Sequence, residues 1–83
     1  MRYIVKASFK QAPTPDILAL LPAERARADE LMRQGLMVAL YVAADYSTGW
    51  SVYNTESRDN VEHALETLPL HPFLDVEITP LAE

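Results

Sequence analysis

The sequence predicts an α+β fold in which two helices cover one face of a four-stranded antiparallel sheet. Three observations carry this. Three short segments alternate apolar and polar residues, a fourth is apolar throughout, and two longer ones repeat apolar residues at helical spacing. Proline, glycine and capping residues separate them. Their order is strand, helix, strand, strand, helix, strand, for which right-handed crossovers put both helices on the same side.

The first strand is RYIVKASFK, from Arg2 to Lys10. Tyr3, Val5, Ala7 and Phe9 share one face. Arg2, Lys6, Ser8 and Lys10 share the other, with Ile4 as its apolar exception. QAPTP follows as a loop, because its two prolines suit neither a helix interior nor a central strand. Thr14 then offers an N-cap, with Pro15 at the first helical position and Asp16 in the first turn. Helical spacing continues to about Arg33, and Gly35 ends it. Pro22 interrupts the segment, which is either two helical pieces or one kinked helix.

LMVALYVAA is the second strand and TGWSVYN the third, joined as a hairpin through ADYST. The second strand is apolar on both faces: Val38, Leu40 and Val42 on one, Met37, Ala39 and Tyr41 on the other. That is the pattern of a strand buried on both sides. In the third strand Trp50 and Val52 are the expected core pair. ESRDNVEHALETL is the second helix, capped by Ser57, with Val61, Ala64, Leu65 and Leu68 as its apolar stripe. Pro69 stops it, and Pro72 helps hold the chain extended into FLDVEIT, the fourth strand. There Leu74, Val76 and Ile78 are expected under the helices.

The uncovered face is then expected to carry Met37, Ala39, Tyr41, Ser51, Tyr53 and Phe73. Ile4, Ser8, Asp75 and Glu77 share it, with Lys6 as the opposite charge. Such a mixture is too apolar for water and too polar for a dry core. It suits a sheet-against-sheet subunit contact about a two-fold axis.

Length and charge narrow the function. The 83 residues are expected to form one domain, 1–83, and 49% apolar content marks it as globular. A formal charge of −5 argues against a nucleic-acid binder that neutralises phosphates. No apolar run approaches the roughly 20 residues of a membrane span. No signal-peptide pattern follows Met1. The chain has no cysteine, hence no disulfide or thiolate metal site, and a cytoplasmic location is expected.

Glu24 is the most informative residue. Ile17, Leu21, Ala28 and Leu31 mark the buried stripe of the first helix, and Glu24 falls within it. A carboxylate there loses hydration, so its pKa rises and it becomes a better base near neutral pH. Surface pairing with Arg25 or Arg27 is the competing reading. His71, between Leu70 and Pro72, is either an acid–base group or a solvated loop residue. His63 reads as surface, and two histidines so placed make no metal site. Tyr41, Tyr46, Trp50 and Tyr53 either line an organic-ligand pocket or pack as ordinary core and interface. With only Gly35 and Gly49, the chain has no glycine-rich phosphate loop.

LPLHPFLDVEITPL, from Leu68 to Leu81, resembles the C-terminal signature of the muconolactone delta-isomerases. In that signature Leu-Pro-Leu, an aromatic, Pro, an aromatic and Asp-aliphatic-Glu follow one another, and His71 here replaces the first aromatic. Ser51-Val52-Tyr53, Arg33-Gln34-Gly35 and Val5-Lys6 are also similar, so the likeness covers nearly the whole chain.

The resemblance implies a ferredoxin-like βαββαβ fold, a dimeric α+β barrel built through the sheets, and a larger ring such as a decamer. It implies cofactor-free chemistry on a small lactone or related organic acid. A ring double bond shifts as a proton leaves one carbon and returns to another. Glu24 lines up with a glutamate of the family's first helix and would take the proton. Lys6 or Tyr41 would stabilise charge on the lactone oxygen. Tyr46, Trp50, Tyr53, His71 and Asp75 are the expected substrate-binding residues.

The second strand and its turn depart from the family, which carries Trp, Arg and His there. Here Met37, Val38, Ala39 and Ala43 replace the bulky groups, and Tyr46 stands for the turn histidine. A non-catalytic ligand-binding or structural oligomer of the same fold is therefore the alternative. A haem- or oxygen-using monooxygenase on the same barrel is a third reading.

Overall fold

β1 (Arg2–Phe9) organises the sheet. It pairs antiparallel with β3 (Thr48–Asn54) on one side and with β4 (Leu74–Pro80) on the other. β2 (Met37–Val42) adds to β3, so the order across the sheet is β2-β3-β1-β4. This is the ferredoxin-like arrangement expected from the element order. The structure is a computed structural model that describes residues 1–83.

Pro22 divides the first helical segment. α1 (Pro15–Leu18) is a single turn, and the Thr14 hydroxyl accepts the Ile17 N–H at 3.3 Å to cap it. α2 (Leu21–Arg33) begins anew with Pro22 in its first turn, where the missing N–H of proline has no helical partner to lose. α2 ends in a Schellman motif. The Leu36 N–H donates to the Leu31 carbonyl at 3.1 Å and the Gly35 N–H to the Met32 carbonyl at 3.0 Å. Gly35 reaches the required left-handed backbone at φ +76°. α3 (Arg58–Glu66) is capped by Ser57, whose hydroxyl accepts the Asn60 N–H at 3.3 Å.

Ala28 and Leu31 of α2 pack with Val61, Ala64 and Leu65 of α3 over Tyr3, Val5, Met37 and Tyr53 of the sheet. Both helices thus cover the same sheet face, and the other face is open.

The register corrects part of the face assignment. Tyr3 stands opposite Tyr53 and Val5 opposite Ser51. Directly opposed residues share a face, so Tyr53 and Ser51 lie under the helices. Trp50 and Val52, expected there, lie on the open face opposite Lys6 and Ile4. Alternation alone defines two sets in β3, and pairing with β1 decides which set faces inward. Met37 is corrected for a different reason. A bulge between Met37 and Ala39 takes up Val38, so Met37 turns under the helices opposite Tyr53. Ala39 and Tyr41 keep their place on the open face. Phe73 belongs to a 3-10 turn, His71–Phe73, ahead of β4 rather than to the open face of a strand.

On the open face Lys6 stands opposite Glu77 and Ser8 opposite Asp75. Lys6 nevertheless joins none of the ion pairs, which link Met1 with Glu83, Arg27 with Glu30 and Arg58 with Glu62. No helix is long and apolar enough to cross a membrane.

Candidate functional site

The sheet divides the residues singled out in the sequence. Glu24 and Tyr53 lie on its helix side, with His71 in the turn beyond α3. Lys6, Tyr41, Trp50 and Asp75 lie on the open face. Tyr41, Trp50, Lys6 and Glu77 form one rung across all four strands there. Tyr46 stands at the tip of the β2–β3 hairpin, 77% exposed and at φ +62°. Within one protomer, therefore, Lys6 and Tyr41 do not meet Glu24.

Glu24 is held by a distant part of the chain. Its Oε1 accepts the backbone N–H of Leu70 at 2.9 Å. Leu70 lies between Pro69 and Pro72, in the turn that connects α3 to β4. Burial pushes the Glu24 carboxyl above its ordinary value of 4.5, while the Leu70 N–H and the nearby His71 work in the opposite direction. Desolvation wins, so the group is a stronger base than a surface glutamate. Neither Arg25 nor Arg27 pairs with it: Arg27 reaches Thr67 and Glu30 instead, each at 2.9 Å.

Tyr53 lies within electrostatic reach of Glu24. Burial pushes its phenol up to about 12; Ser51 beside it pulls the other way, Glu24 adds to the rise, and Arg27 opposes it. The Tyr53 hydroxyl has no hydrogen-bond partner, so Ser51 approaches it without closing a bond. Ser51 is the only buried polar residue, a position that sequence reading gave to the other face. Its signal was available only through the register.

The helices leave one end of their own face uncovered. α2 and β2 run antiparallel, joined by the short turn at Gly35. From Leu31 back to Glu24 the helix travels about 10 Å. From Met37 forward to Leu40 the strand also travels about 10 Å. Glu24 is thus about as far along α2 from Leu31 as Leu40 is along β2 from Met37, and Leu40 opposes Ser51 in the sheet. Leu21, Leu40 and Val42 are exposed although they belong to the inward-facing sets.

Two hollows in the fold do not have Glu24, Ser51 or Tyr53 among their lining residues. A groove of about 360 Å³ between α2 and α3 is lined by Arg27, Gln34, Asn60 and His63 among others. A hollow of about 260 Å³ beside β4 is lined by Arg58, Glu62, His71 and Val76 among others. No three His, Asp or Glu side chains converge anywhere in the fold.

The family model for muconolactone delta-isomerase matches residues 1–83. The chain belongs to the muconolactone delta-isomerase family. The muconolactone delta-isomerases of Cupriavidus pinatubonensis and Rhodococcus opacus are each 32% identical to it over 60 residues, 72% of this chain. The match spans 65% and 64% of those relatives, just under two thirds of their length. That of Acinetobacter baylyi is 28% identical over 69 residues, 83% of this chain and 72% of the relative. A crystal structure of muconolactone isomerase shares the fold with a TM-score of 0.83 at 29% identity, covering 100% of this chain and 90% of the other. A 5-chloro-2-hydroxyhydroquinone dehydrochlorinase from Burkholderia phenoliruptrix, in complex with 2,5-dihydroxybenzoquinone, shares the fold alone, with a TM-score of 0.70 at 12% identity.

Proposed function

We propose that this member of the muconolactone isomerase family shifts a C=C bond in a small lactone or related organic acid without a cofactor. Glu24 is the proton shuttle in this reading. The observation that carries it is the half-buried Glu24 carboxylate, raised above its ordinary value by desolvation and steered by the Leu70 N–H. Such a group takes a carbon-bound proton more readily than a solvated glutamate and can return it to a second carbon.

The partner is then a small molecule. The working unit is a cytoplasmic homodimer joined through the open faces of the sheets, with a ring of dimers as the larger form. The apolar Ile4, Trp50 and Val52 on that face support this contact.

A second reading is a non-catalytic oligomer that binds a ligand or serves a structural role. It is favoured by β2, MVALYV, which carries no basic group to receive a substrate carboxylate.

Turnover of muconolactone, followed by ultraviolet absorbance, separates the two. Activity that disappears in Glu24→Gln with the oligomer intact establishes the isomerase. No activity in the wild-type protein removes that reaction and leaves the binding role.

A further inference from the structure

Tyr53 carries the only buried side-chain oxygen or nitrogen that lacks a hydrogen-bond partner. The residue is 0% exposed. A buried hydroxyl without a partner is destabilising, and folded proteins contain few of them. A phenylalanine would fill the same space without that cost. The hydroxyl is therefore the part of Tyr53 that packing does not explain.

Its surroundings supply a use. Ser51 is two residues back on the same strand face and is buried beside it. Glu24 lies within electrostatic reach and engages only Oε1 with Leu70, which leaves Oε2 free. On β2 the exposed Leu40 and Val42 stand opposite Ser51 and Gly49, toward the Ser51 end of this pair. Lys6 and Tyr41 approach none of this, because the sheet separates them from Glu24.

We propose that the Tyr53 phenol, with the Ser51 hydroxyl beside it, holds the carbonyl oxygen of an enolisable lactone or unsaturated acid over Glu24. This rests on the proton-shift reading of Glu24. The Glu24 carboxylate removes a proton from carbon, the C–H pair forms a new C=C bond, and the carbonyl π pair moves onto oxygen. The Tyr53 O–H donates a hydrogen bond to that oxygen and keeps its own proton. The carbonyl re-forms as the resulting glutamic acid returns the proton to the far carbon of the dienolate. A preorganised neutral donor inside a dry layer stabilises the developing charge without neutralising the base.

Tyr53→Phe tests this, because it deletes one oxygen that bonds to nothing in the folded protein. Melting temperature, muconolactone turnover and binding of tetronate, a five-membered lactone enolate, are measured for wild type, Tyr53→Phe and Glu24→Gln. The expected result is a higher melting temperature in Tyr53→Phe together with a kcat reduced on the order of a hundredfold. KM changes little, since the hydrogen bond strengthens only as charge develops. Tetronate affinity falls at least about tenfold, the size of one lost charge-assisted hydrogen bond.

Wild-type turnover and tetronate affinity retained in Tyr53→Phe overturn the proposal while leaving Glu24 as the shuttle. If wild type turns over no muconolactone, the Glu24 reading fails for that substrate and tetronate decides the Tyr53 inference alone. Tetronate bound by wild type and lost in Tyr53→Phe then upholds it. Equal affinity, or no binding to wild type, overturns it.

Discussion

The Glu24 carboxylate accepts the Leu70 backbone N–H at 2.9 Å and so joins the first turns of α2 to the turn that leads into β4. The two residues are 46 positions apart. This bond orients Glu24 while leaving its second oxygen free. It also places the proline-bounded turn, LPLHP, beside the carboxylate rather than merely between two elements.

Replacing Glu24 with glutamine separates orientation from proton transfer. The amide oxygen still accepts the Leu70 N–H, so stability changes by no more than about 1 kcal/mol. Isomerisation falls on the order of a hundredfold to ten-thousandfold, the range for loss of a positioned general base. Thermal melting beside ultraviolet turnover measures both. Wild-type turnover in Glu24→Gln would remove Glu24 from the mechanism.

The raised Glu24 value has consequences of fixed sign. Between 4.5 and its higher folded value, the folded protein holds more protons than the unfolded chain. The contribution of Glu24 to stability is therefore fully present below 4.5 and is lost as the pH rises through the folded value. Urea unfolding across this window should show that decline in wild type and a flatter profile in Glu24→Gln. The acid limb of kcat/KM should have its midpoint above 4.5, and Tyr53, at about 12, should add no alkaline limb near neutrality.

The two left-handed backbone positions respond oppositely. Gly35 at φ +76° would have nothing within 4 Å of an added Cβ, so Gly35→Ala is governed by backbone conformation alone. It should cost about 1 kcal/mol. Tyr46 occupies φ +62° at the hairpin tip, and Tyr46→Gly should gain about 1 kcal/mol by relieving the same strain. Denaturant midpoints at constant m-value report both changes.

Ile4→Glu probes the open face. Ile4 stands at the centre of a rung with Val52 on one side and Thr79 on the other, away from the helices. A charge there should convert a dimer to a monomer at micromolar concentration and leave the helix-side core folded. Sedimentation velocity with circular dichroism measures the two together. A wild-type chain that is already monomeric would count against a sheet-face contact.

The order of strands and helices, and the caps of the helices, were legible in the sequence. Periodicity placed the strands and helices, Thr14 and Ser57 marked N-caps, and Gly35 marked the stop after α2, because these are local backbone requirements. Glu24 was visible as a carboxylate within an apolar stripe for the same reason: helical spacing is a local property. The tertiary structure alone decided which half of β3 turns inward. Trp50 and Val52 form as plausible a core pair as Ser51 and Tyr53 until β1 pairs with the strand and sets its register. It alone showed that Val38 is taken up in a bulge, which reverses Met37. It also brought Leu70 to Glu24 and separated Glu24 from Lys6 and Tyr41 by the thickness of a sheet. Those relationships depend on pairing between distant segments, and alternation within one strand carries no information about which face its neighbours will cover.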